Sequence, residues 1–506
     1  MDADLRSIQE ARDLVVRAAE AQRAFAHADQ RTVDAVVTAM ARAASAASER
    51  LARLAVDETG MGVYEHKILK NKFASDHVLA YILPLQTVGI IREDKPRKLK
   101  ELAVPMGVVA AIIPTTNPTS TAIYKALIAV KARNACVMSP HPRATKCVVE
   151  TVRLMAEAAV AAGAPPGLLS CMTAPTLDGT LELMRHDLTA IILATGGKDL
   201  VRSAYSAGKP AYGVGPGNVP AIIERTARID KAVADVVDGK TFDAGVLCSS
   251  EQSIVCDAPV AAAVRAALVR ERAHMCTPDE KRALERAMIP PGGKGINTAV
   301  VGKQPQEIAR LAGFSIAPDA KLLVVDLKTV GRDELLSREK LSPVLGFYVE
   351  SGWERCCQRA IELLTLGGIG HSLVIHSQDE RVIDAFFQDK PAFRISVNTN
   401  SALGAVGYTT GFAPAMTLGP GTWGGSSTSD NITPLHLINI KRLGGEIHPY
   451  HDPLRGAPSP RSSAAAASAP VSSRASRPAA VDAVLAGAEV QRIVDDFLRD
   501  FRGTGK

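Results

Sequence analysis

The sequence has few aromatic residues, and its cysteines follow no pattern that would bind zinc or form a redox pair. Phe, Trp and Tyr make up 4% of the 506 residues, so small aliphatic side chains must build the cores. The eight cysteines include no C-x-x-C spacing, which argues against a zinc site and against a disulfide framework. We therefore expect reduced thiols, a cytoplasmic location and no metal centre.

An apolar leader, a long apolar run and a basic stripe are also missing. The first twenty residues carry mixed charge, which is not the pattern of a signal peptide. No run is long enough to cross a bilayer. The net charge of +6 is small for this length, and no basic stripe alternates with aromatic residues. Neither a membrane nor a nucleic acid is therefore an expected partner.

Short apolar runs and longer amphipathic segments alternate along most of the chain. Up to about residue 80 apolar residues recur at helical spacing, and from about residue 100 strand-like runs such as Val108–Ile113 and Ala190–Leu193 alternate with helical segments. A second strand–helix series runs from about residue 230 to about residue 410. This alternation predicts an α/β protein with parallel, doubly wound sheets in two lobes.

Two motifs carry polar or reactive side chains at positions suited to catalysis. Cys248, in TFDAGVLCSSEQS, is a candidate nucleophile, because nearby backbone N–H groups would favour its thiolate. A lone cysteine is, however, more often a small buried apolar residue. Asn117, in IIPTTNPTSTAIYKALI, follows a predicted strand at the start of a helix. Its amide could donate to an oxyanion, and a turn asparagine between prolines explains the motif equally well.

Two glycine motifs follow Asn117 along the chain. In LATGGKDLVRSAY a strand leads through Thr195, Gly196 and Gly197 into a helix, which lets the backbone approach a dinucleotide. In GVGPGNVPAII three glycines precede a strand, and tight turning is the simpler explanation.

Taken together and in this order, these motifs resemble the aldehyde dehydrogenase superfamily over about residues 5–445. The strings PTTNPTSTAIYKALI, SPHPRA and GVLCSSEQS, with Glu339 in EKLSPVL, resemble its CoA-acylating branch. That branch includes the aldehyde domain of bifunctional aldehyde–alcohol dehydrogenases and the aldehyde dehydrogenases of bacterial microcompartments. The resemblance implies the aldehyde dehydrogenase fold: a Rossmann-like cofactor domain, an α/β catalytic domain and strands that join subunits into a homodimer or homotetramer.

The resemblance also implies a role for each motif. Cys248 becomes the nucleophile, Asn117 the donor to the oxyanion, and Glu339 a contact of the NAD ribose. The other residues expected at NAD are the following: Thr195, Gly196, Gly197, Ser139 and Pro140. Hydrolytic members usually place a lysine for the adenosine ribose where Ser139 stands here.

The hydrolytic branch carries a glutamate that activates water, and this chain has no carboxylate from Tyr205 to Ile223. Val214 or a neighbour takes its place. Without a general base water is a poor acceptor of the acyl group, whereas the thiolate of coenzyme A is a far better nucleophile. We therefore predict NAD-dependent oxidation of propionaldehyde or acetaldehyde to acyl-CoA. The alternatives are a hydrolytic enzyme, an acylating enzyme for an anionic aldehyde such as sulfoacetaldehyde or succinate semialdehyde, and a non-catalytic scaffold.

Four further residues have weaker signals. His371, in GGIGHSLVIHS, either assists proton transfer to coenzyme A or, as we favour, is a satisfied structural histidine at the start of a strand. Arg394 either contacts a phosphate of coenzyme A or, by default, lies in solvent. Glu251 and Gln252 are expected in a helix cap or a loop.

The chain is predicted to divide into four parts. Residues 1–225, completed by about 411–446, form the cofactor domain, and residues 226–410 form the catalytic domain. Residues 447–480 form a flexible linker, since 20 of the 24 residues from Ala457 to Ala480 are Ala, Ser or Pro. Residues 481–506 form an amphipathic helix.

The C-terminal helix resembles an encapsulation peptide that docks on a microcompartment shell or cargo protein. This implies the lumen of a bacterial microcompartment as the location. Packing on its own domain, self-association and binding to a membrane remain alternatives.

Overall fold

The computed structural model describes residues 2–290 and 295–452. The predicted helix at 481–506 and nearly all of the predicted linker at 447–480 lie outside the described residues. The chain begins with helices, as the apolar spacing predicts: α1 (Ala3–Phe25), α2 (Gln30–Ala46), α3 (Ser48–Thr59), α4 (Tyr64–Lys72) and α5 (Val78–Ile82). A π-helical turn at Phe73–His77 joins the last two. Two antiparallel strands follow, β1 (Gly89–Asp94) and β2 (Leu99–Pro105).

A five-stranded parallel sheet comes next, in the order β5-β4-β3-β6-β7. Its strands are β3 (Val108–Ile113), β4 (Ala135–Pro140), β5 (Leu169–Cys171), β6 (Thr189–Thr195) and β7 (Ala211–Val214). Its helices are α6 (Pro118–Lys131), α7 (Thr145–Ala161), α8 (Leu177–Arg185) and α9 (Lys198–Tyr205). Every residue of β3 and β4 is buried, as expected where helices cover both faces of a sheet.

The second sheet has seven parallel strands in the order β10-β11-β12-β9-β8-β13-β14. They are β8 (Val219–Ile223), β9 (Glu251–Asp257), β10 (Ala273–Met275), β11 (Leu322–Asp326), β12 (Val344–Glu350), β13 (Gly370–His376) and β14 (Ala392–Val397). The helices are α10 (Ile229–Thr241), α11 (Ala261–Arg270), α12 (Pro278–Met288), α13 (Pro305–Ala312), α14 (Trp353–Leu366), α15 (Glu380–Asp389) and α16 (Ser401–Gly404).

Alternate residues of the second sheet face different apolar clusters. Ile222 and Val255 belong to one cluster, and their neighbours Ile223 and Ile254 belong to another. This period of two is what a parallel strand covered on both faces requires. The α/β class predicted from the alternation of apolar runs is confirmed by the two parallel sheets.

The chain passes between the two sheets after β7 ends at Val214 and before β8 begins at Val219. This passage lies ahead of the predicted domain boundary at residue 225, and the division into a cofactor and a catalytic domain stays a prediction. A last strand, β15 (Ile438–Gly444), returns to pair with β2 in a three-stranded antiparallel sheet. Among the described residues, no helix combines the length and the hydropathy that a membrane span needs.

Candidate active site

The strand order of the first sheet reverses between β3 and β6, because β4 and β5 extend it on one side and β7 on the other. Parallel α/β sheets bind ligands outside the carboxyl ends of the strands at such a point. A cavity of about 500 Å³ lies there. Eight residues named from the sequence line it: Asn117, Ser139, Pro140, Thr195, Gly196, Gly197, Cys248 and Glu339. His371 is not among the lining residues.

The sequence brings these residues together through the ends of strands. Asn117 follows β3 at the start of α6, whose first residue is Pro118, and the imino acid suits a first turn that needs no N–H. Ser139 and Pro140 end β4, and Thr195 ends β6. The Oγ1 atom of Thr195 is buried and has no hydrogen-bond partner among the described residues. A residue of the cavity wall therefore carries a buried hydroxyl without a partner, which fits a site that a ligand completes.

Cys248 comes from the other sheet, in the loop between α10 and β9. Burial first, and then the nearby Glu339 carboxylate, raise the pKa of its thiol to about 12. Arg394 and the backbone N–H groups of Cys248 and Ser249 act in the opposite direction. As expected, these backbone N–H groups favour the thiolate, since they lower the pKa of Cys248. Burial has the larger effect, so the resting group is a thiol.

Glu339 and the second glycine motif form the side of the cavity near Cys248. Gly217 N donates to Glu339 Oε1 at 3.1 Å. A Cβ atom on Gly217 would lie 2.1 Å from the carbonyl oxygen of Cys248, so only glycine allows this contact. Burial raises the pKa of Glu339 to about 7. The glycines of this motif were assigned to tight turning, and a local pattern gave no sign of the contact with Cys248.

The Asn117 amide lies between the cavity and α4. Lys70 Nζ donates to Asn117 Oδ1 at 2.5 Å. Asn117 Nδ2 donates to Thr116 Oγ1 at 3.0 Å and to the backbone oxygen of Val246 at 3.4 Å. The amide N–H group therefore faces the loop that carries Cys248. The sequence analysis did not name Lys70.

His371 lies at the start of β13, where it was predicted, and is buried. Its Nδ1 is 3.0 Å from Ser372 Oγ, while its Nε2 has no hydrogen-bond partner among the described residues. Burial lowers its pKa to about 3, so the imidazole is neutral. A Cβ atom on Gly217 would lie 3.2 Å from His371 Nδ1, which places the ring close to the Cys248 backbone. Only one of its two nitrogens is satisfied, and its proposed role in proton transfer stays a prediction.

The interpretation of Arg394 as a residue in solvent is wrong. Its side chain is buried and donates to the backbone oxygens of Gly370 at 3.3 Å, Gly419 at 2.8 Å and Ser429 at 2.9 Å. Burial lowers its pKa to about 10. These carbonyl groups replace water around the guanidinium and occupy most of the hydrogen-bond donors that a phosphate would need.

Glu251 and Gln252 were expected in a helix cap or a loop. Neither lies in a loop, because both are buried at the start of β9, but the Glu251 carboxylate does cap a helix, since Ser401 is the first residue of α16. Glu251 Oε1 accepts from Ser401 N at 2.5 Å, and Gln252 Oε1 accepts from Lys240 Nζ at 3.1 Å. Contacts with distant segments decide their position, and the local sequence does not show these contacts.

One group in the described part of the chain brings possible metal ligands together. Ligand atoms of His274, Cys276 and Glu280 lie within 4.8 Å of one another. The Glu280 carboxylate already accepts from Thr277 N at 2.7 Å and completes the cap of α12. The expectation of no metal centre stays a prediction.

The chain is similar to one protein family and to several solved structures. The sequence profile of the aldehyde dehydrogenase family matches residues 3–286. The chain belongs to the aldehyde dehydrogenase family. It is 40% identical over 442 residues to the bifunctional aldehyde-alcohol dehydrogenase AdhE of Escherichia coli K12, which covers 86% of this chain and 49% of that protein. The chain therefore spans about half the length of its bifunctional relatives.

Relatives of similar length also exist. Over 433 residues the chain is 37% identical to the acetylating succinate-semialdehyde dehydrogenase of Clostridium kluyveri, covering 86% of this chain and 95% of that one. The structure of an acetylating aldehyde dehydrogenase from Geobacillus thermoglucosidasius superposes with a TM-score of 0.88 at 49% identity, covering 89% and 99% of the two chains. A propionaldehyde dehydrogenase from Rhodopseudomonas palustris with bound propionyl-CoA superposes with a TM-score of 0.78 at 26% identity, covering 86% and 94%.

Within this family, the wall formed by Val214, Gly215 and Pro216 is informative. It stands where the hydrolytic branch is expected to carry its glutamate, and all three residues line the cavity. Among the described lining residues, Glu339 is the one carboxylate. Its Oε1 already accepts from Gly217. The cavity therefore has no second carboxylate to activate water.

Proposed function

We propose that this chain oxidises a short-chain aldehyde with NAD and passes the acyl group to coenzyme A through a thioester on Cys248. One observation supports this most strongly: Cys248, Asn117 and the glycine turn after β6 line one cavity, whose wall at Val214–Pro216 carries no carboxylate. A thioester formed there is exposed to a thiol acceptor, and the Val214–Pro216 wall offers no carboxylate to activate water.

The residues of the cavity fit the dinucleotide. Thr195, with its unused hydroxyl, and the backbone of Gly196 and Gly197 would hold it, together with Glu339, Ser139 and Pro140. Bound NAD supplies a hydride acceptor. The preference for NAD over NADP is part of the proposal, and turnover with each dinucleotide tests it.

The chemical roles of the chain's own residues follow from their positions. The Cys248 thiol loses its proton to water, and Sγ then attacks the aldehyde carbon, so the electron pair of the carbonyl bond moves to the oxygen as a negative charge. Asn117 Nδ2 and the backbone N–H of Cys248 donate to that oxygen. The neutral imidazole of His371 is the proposed group for proton transfer to and from the thiol of coenzyme A.

The proposed substrate is a neutral aldehyde of two or three carbons. A small cavity of about 50 Å³ lies beside Leu247, the residue before Cys248, and its lining includes Phe73, Leu403 and Met416. The cation in this lining, Lys70, is already bound to Asp243 and Asn117. The small volume of this cavity and the lack of an unpaired cation in its described lining support propionaldehyde or acetaldehyde over an anionic substrate.

The test is NADH formation from propionaldehyde and NAD, with and without coenzyme A, with mass spectrometry of the product. We expect turnover to require coenzyme A and to yield propionyl-CoA. Equal rates without coenzyme A, with propionate as product, would show a hydrolytic enzyme. Faster turnover of succinate semialdehyde or sulfoacetaldehyde would favour the anionic alternative, which the Clostridium kluyveri relative represents.

The proposal also covers the location of the protein in the cell and its oligomeric state. A propionaldehyde dehydrogenase from a Clostridium phytofermentans fucose utilisation microcompartment superposes with a TM-score of 0.77 at 26% identity. With the Ala/Ser/Pro-rich stretch and the apolar helical pattern of residues 481–506, this supports encapsulation through the C-terminal segment. Fusing residues 447–506 to a fluorescent protein tests it, since the fusion should enter co-expressed compartments. Light scattering of the full chain tests the proposed homodimer or homotetramer.

A further inference from the structure

Three charged side chains are buried together next to Asn117, and none of them lines the large cavity. Lys67 and Lys70 come from successive turns of α4, and Asp243 comes from the loop before Cys248. The side chains of these residues are 2%, 4% and 0% exposed. Buried charges are costly unless paired, so such a group needs a reason beyond solubility.

Asp243 is the centre of this group. Its carboxylate accepts from Val63 N at 2.7 Å, from Lys67 Nζ at 3.0 Å and from Lys70 Nζ. Burial by itself would raise the pKa of Asp243, but the charges of Lys70 and Lys67 outweigh burial and lower it. The carboxylate is therefore ionised and accepts from both lysines. Burial lowers the pKa of Lys70 to about 7, although the charge of Asp243 acts in the opposite direction.

Two lysines face one carboxylate, and each donates one further hydrogen bond to the turn that carries Asn117. Lys67 Nζ donates to the backbone oxygen of Thr116 at 3.2 Å, and Lys70 Nζ donates to Asn117 Oδ1 at 2.5 Å. α4 thus connects the loop of Asp243 to the turn of Asn117 through hydrogen bonds between buried groups.

The backbone at Asp243 has an unusual conformation. Asp243 and Ala244 have φ angles of 49° and 54°, values that residues with a side chain rarely adopt and that cost free energy. They precede Cys248 by five and four residues. Gly62 makes room for the carboxylate, because a Cβ atom there would lie 2.1 Å from Asp243 Oδ1. The ion pairs hold this strained segment, and with it the start of the Cys248 loop.

We propose that Lys70 is a positioning residue that fixes the orientation of the Asn117 amide, so that Nδ2 points at the carbonyl oxygen of a substrate bound to Cys248. Lys70 Nζ donates both to the Asp243 carboxylate and to Asn117 Oδ1. Its protonated form has no acceptor, so the amide oxygen must face it and the amide nitrogen must face away. A flipped amide would set donors against donors. This inference rests on the proposed function, because it concerns the oxyanion of that reaction.

The test is a double-mutant cycle on the full chain, measured as kcat for propionaldehyde oxidation with saturating NAD and coenzyme A. Removing one oxyanion donor typically reduces kcat by about 10²–10³-fold. We expect Lys70→Met to reduce kcat by roughly ten- to a hundredfold, since the amide still visits the correct orientation. In the Asn117→Ala background, Lys70→Met should reduce kcat no further.

Lys131→Met is the matched control, because Lys131 is as buried as Lys70 and is paired with Asp34 at the far end of α6. We expect a similar loss of thermal stability in both lysine variants and a loss of kcat in Lys70→Met alone. Lys70→Arg, which keeps a cationic donor, runs in the same cycle. It should recover most of the rate when Asn117 is present. If Lys70→Met does not fold, Lys70→Gln, which is uncharged but polar, supplies the cycle instead.

The outcomes separate the two proposals. If the wild type oxidises no aldehyde in the presence of coenzyme A, the proposed function fails. If the wild type is active and the losses from Lys70 and Asn117 multiply, or Lys70→Met keeps full kcat, the positioning role alone is overturned.

Discussion

The two sides of the cavity are built in different ways. The side formed by the five-stranded sheet consists of residues at strand ends, such as Ser139 and Thr195, held by backbone pairing. The side that carries Cys248 consists of loops held by contacts between distant residues, such as Gly217 with Glu339 and Asp243 with Lys70. The first kind of site follows from topology, whereas the second depends on single side chains and should be easier to disrupt.

The largest expected effect comes from Cys248 itself. Cys248→Ala removes the nucleophile and should reduce turnover by about four orders of magnitude or more, as losses of catalytic nucleophiles do. NADH formation measures it. Cys276→Ser, a half-buried cysteine outside the cavity, is the control and should keep its activity. Equal losses in both variants would contradict the assignment.

Gly217→Ala tests the loop contact and should have the next largest effect. The added Cβ would lie 2.1 Å from the Cys248 oxygen, so the loop must move, at a cost of about 1–3 kcal/mol of unfolding free energy. We expect kcat to fall at least tenfold, since a misplaced nucleophile reacts poorly. Gly215→Ala is the matched control, because nothing lies within 4 Å of its Cβ position. Wild-type kinetics in Gly217→Ala would show that the contact is dispensable.

A smaller change of specificity is expected from Gly215→Glu. The position lines the cavity and has room for a side chain, so a carboxylate there would act as a base for water. We expect CoA-independent release of the free acid to rise several-fold, measured by mass spectrometry, with Gly215→Gln as the control that lacks the base. An equal rise in both variants would point to mere loosening of the site.

The smallest effect is expected from Glu339→Gln, which changes the rate at which Cys248 is alkylated at a given pH. The pKa of this thiol is about 12. Below that pH, the thiolate fraction rises about tenfold with each unit by which the pH increases, so alkylation by iodoacetamide should accelerate steadily from about pH 7 to about pH 10. Ionised Glu339 disfavours the thiolate, so Glu339→Gln should speed alkylation by about two- to fivefold above the Glu339 pKa of about 7. A plateau near neutral pH would show that the thiol is already ionised.

The same comparison explains what the sequence could predict. β3 and the ends of β4 and β6 follow from short apolar runs bounded by Pro and Gly, because a buried parallel strand needs such a run. Cys248 and Asn117 came from motif strings that resemble a family. Lys70 and Asp243 are 173 positions apart in the sequence. Gly217 and Glu339, which are hydrogen-bonded, are 122 positions apart. No local pattern encodes such contacts, which is also why the burial of Arg394 and the strand position of Gln252 were not predicted.

The central claim is that the acyl group rests on Cys248 and waits for coenzyme A. It is tested by incubating the protein with propionaldehyde and NAD, without coenzyme A, and by following its intact mass. We expect a propionyl adduct that maps to the peptide with Cys248, persists in buffer and disappears with formation of propionyl-CoA when coenzyme A is added. An adduct that water removes as fast as coenzyme A does, or no adduct on Cys248, would contradict the account.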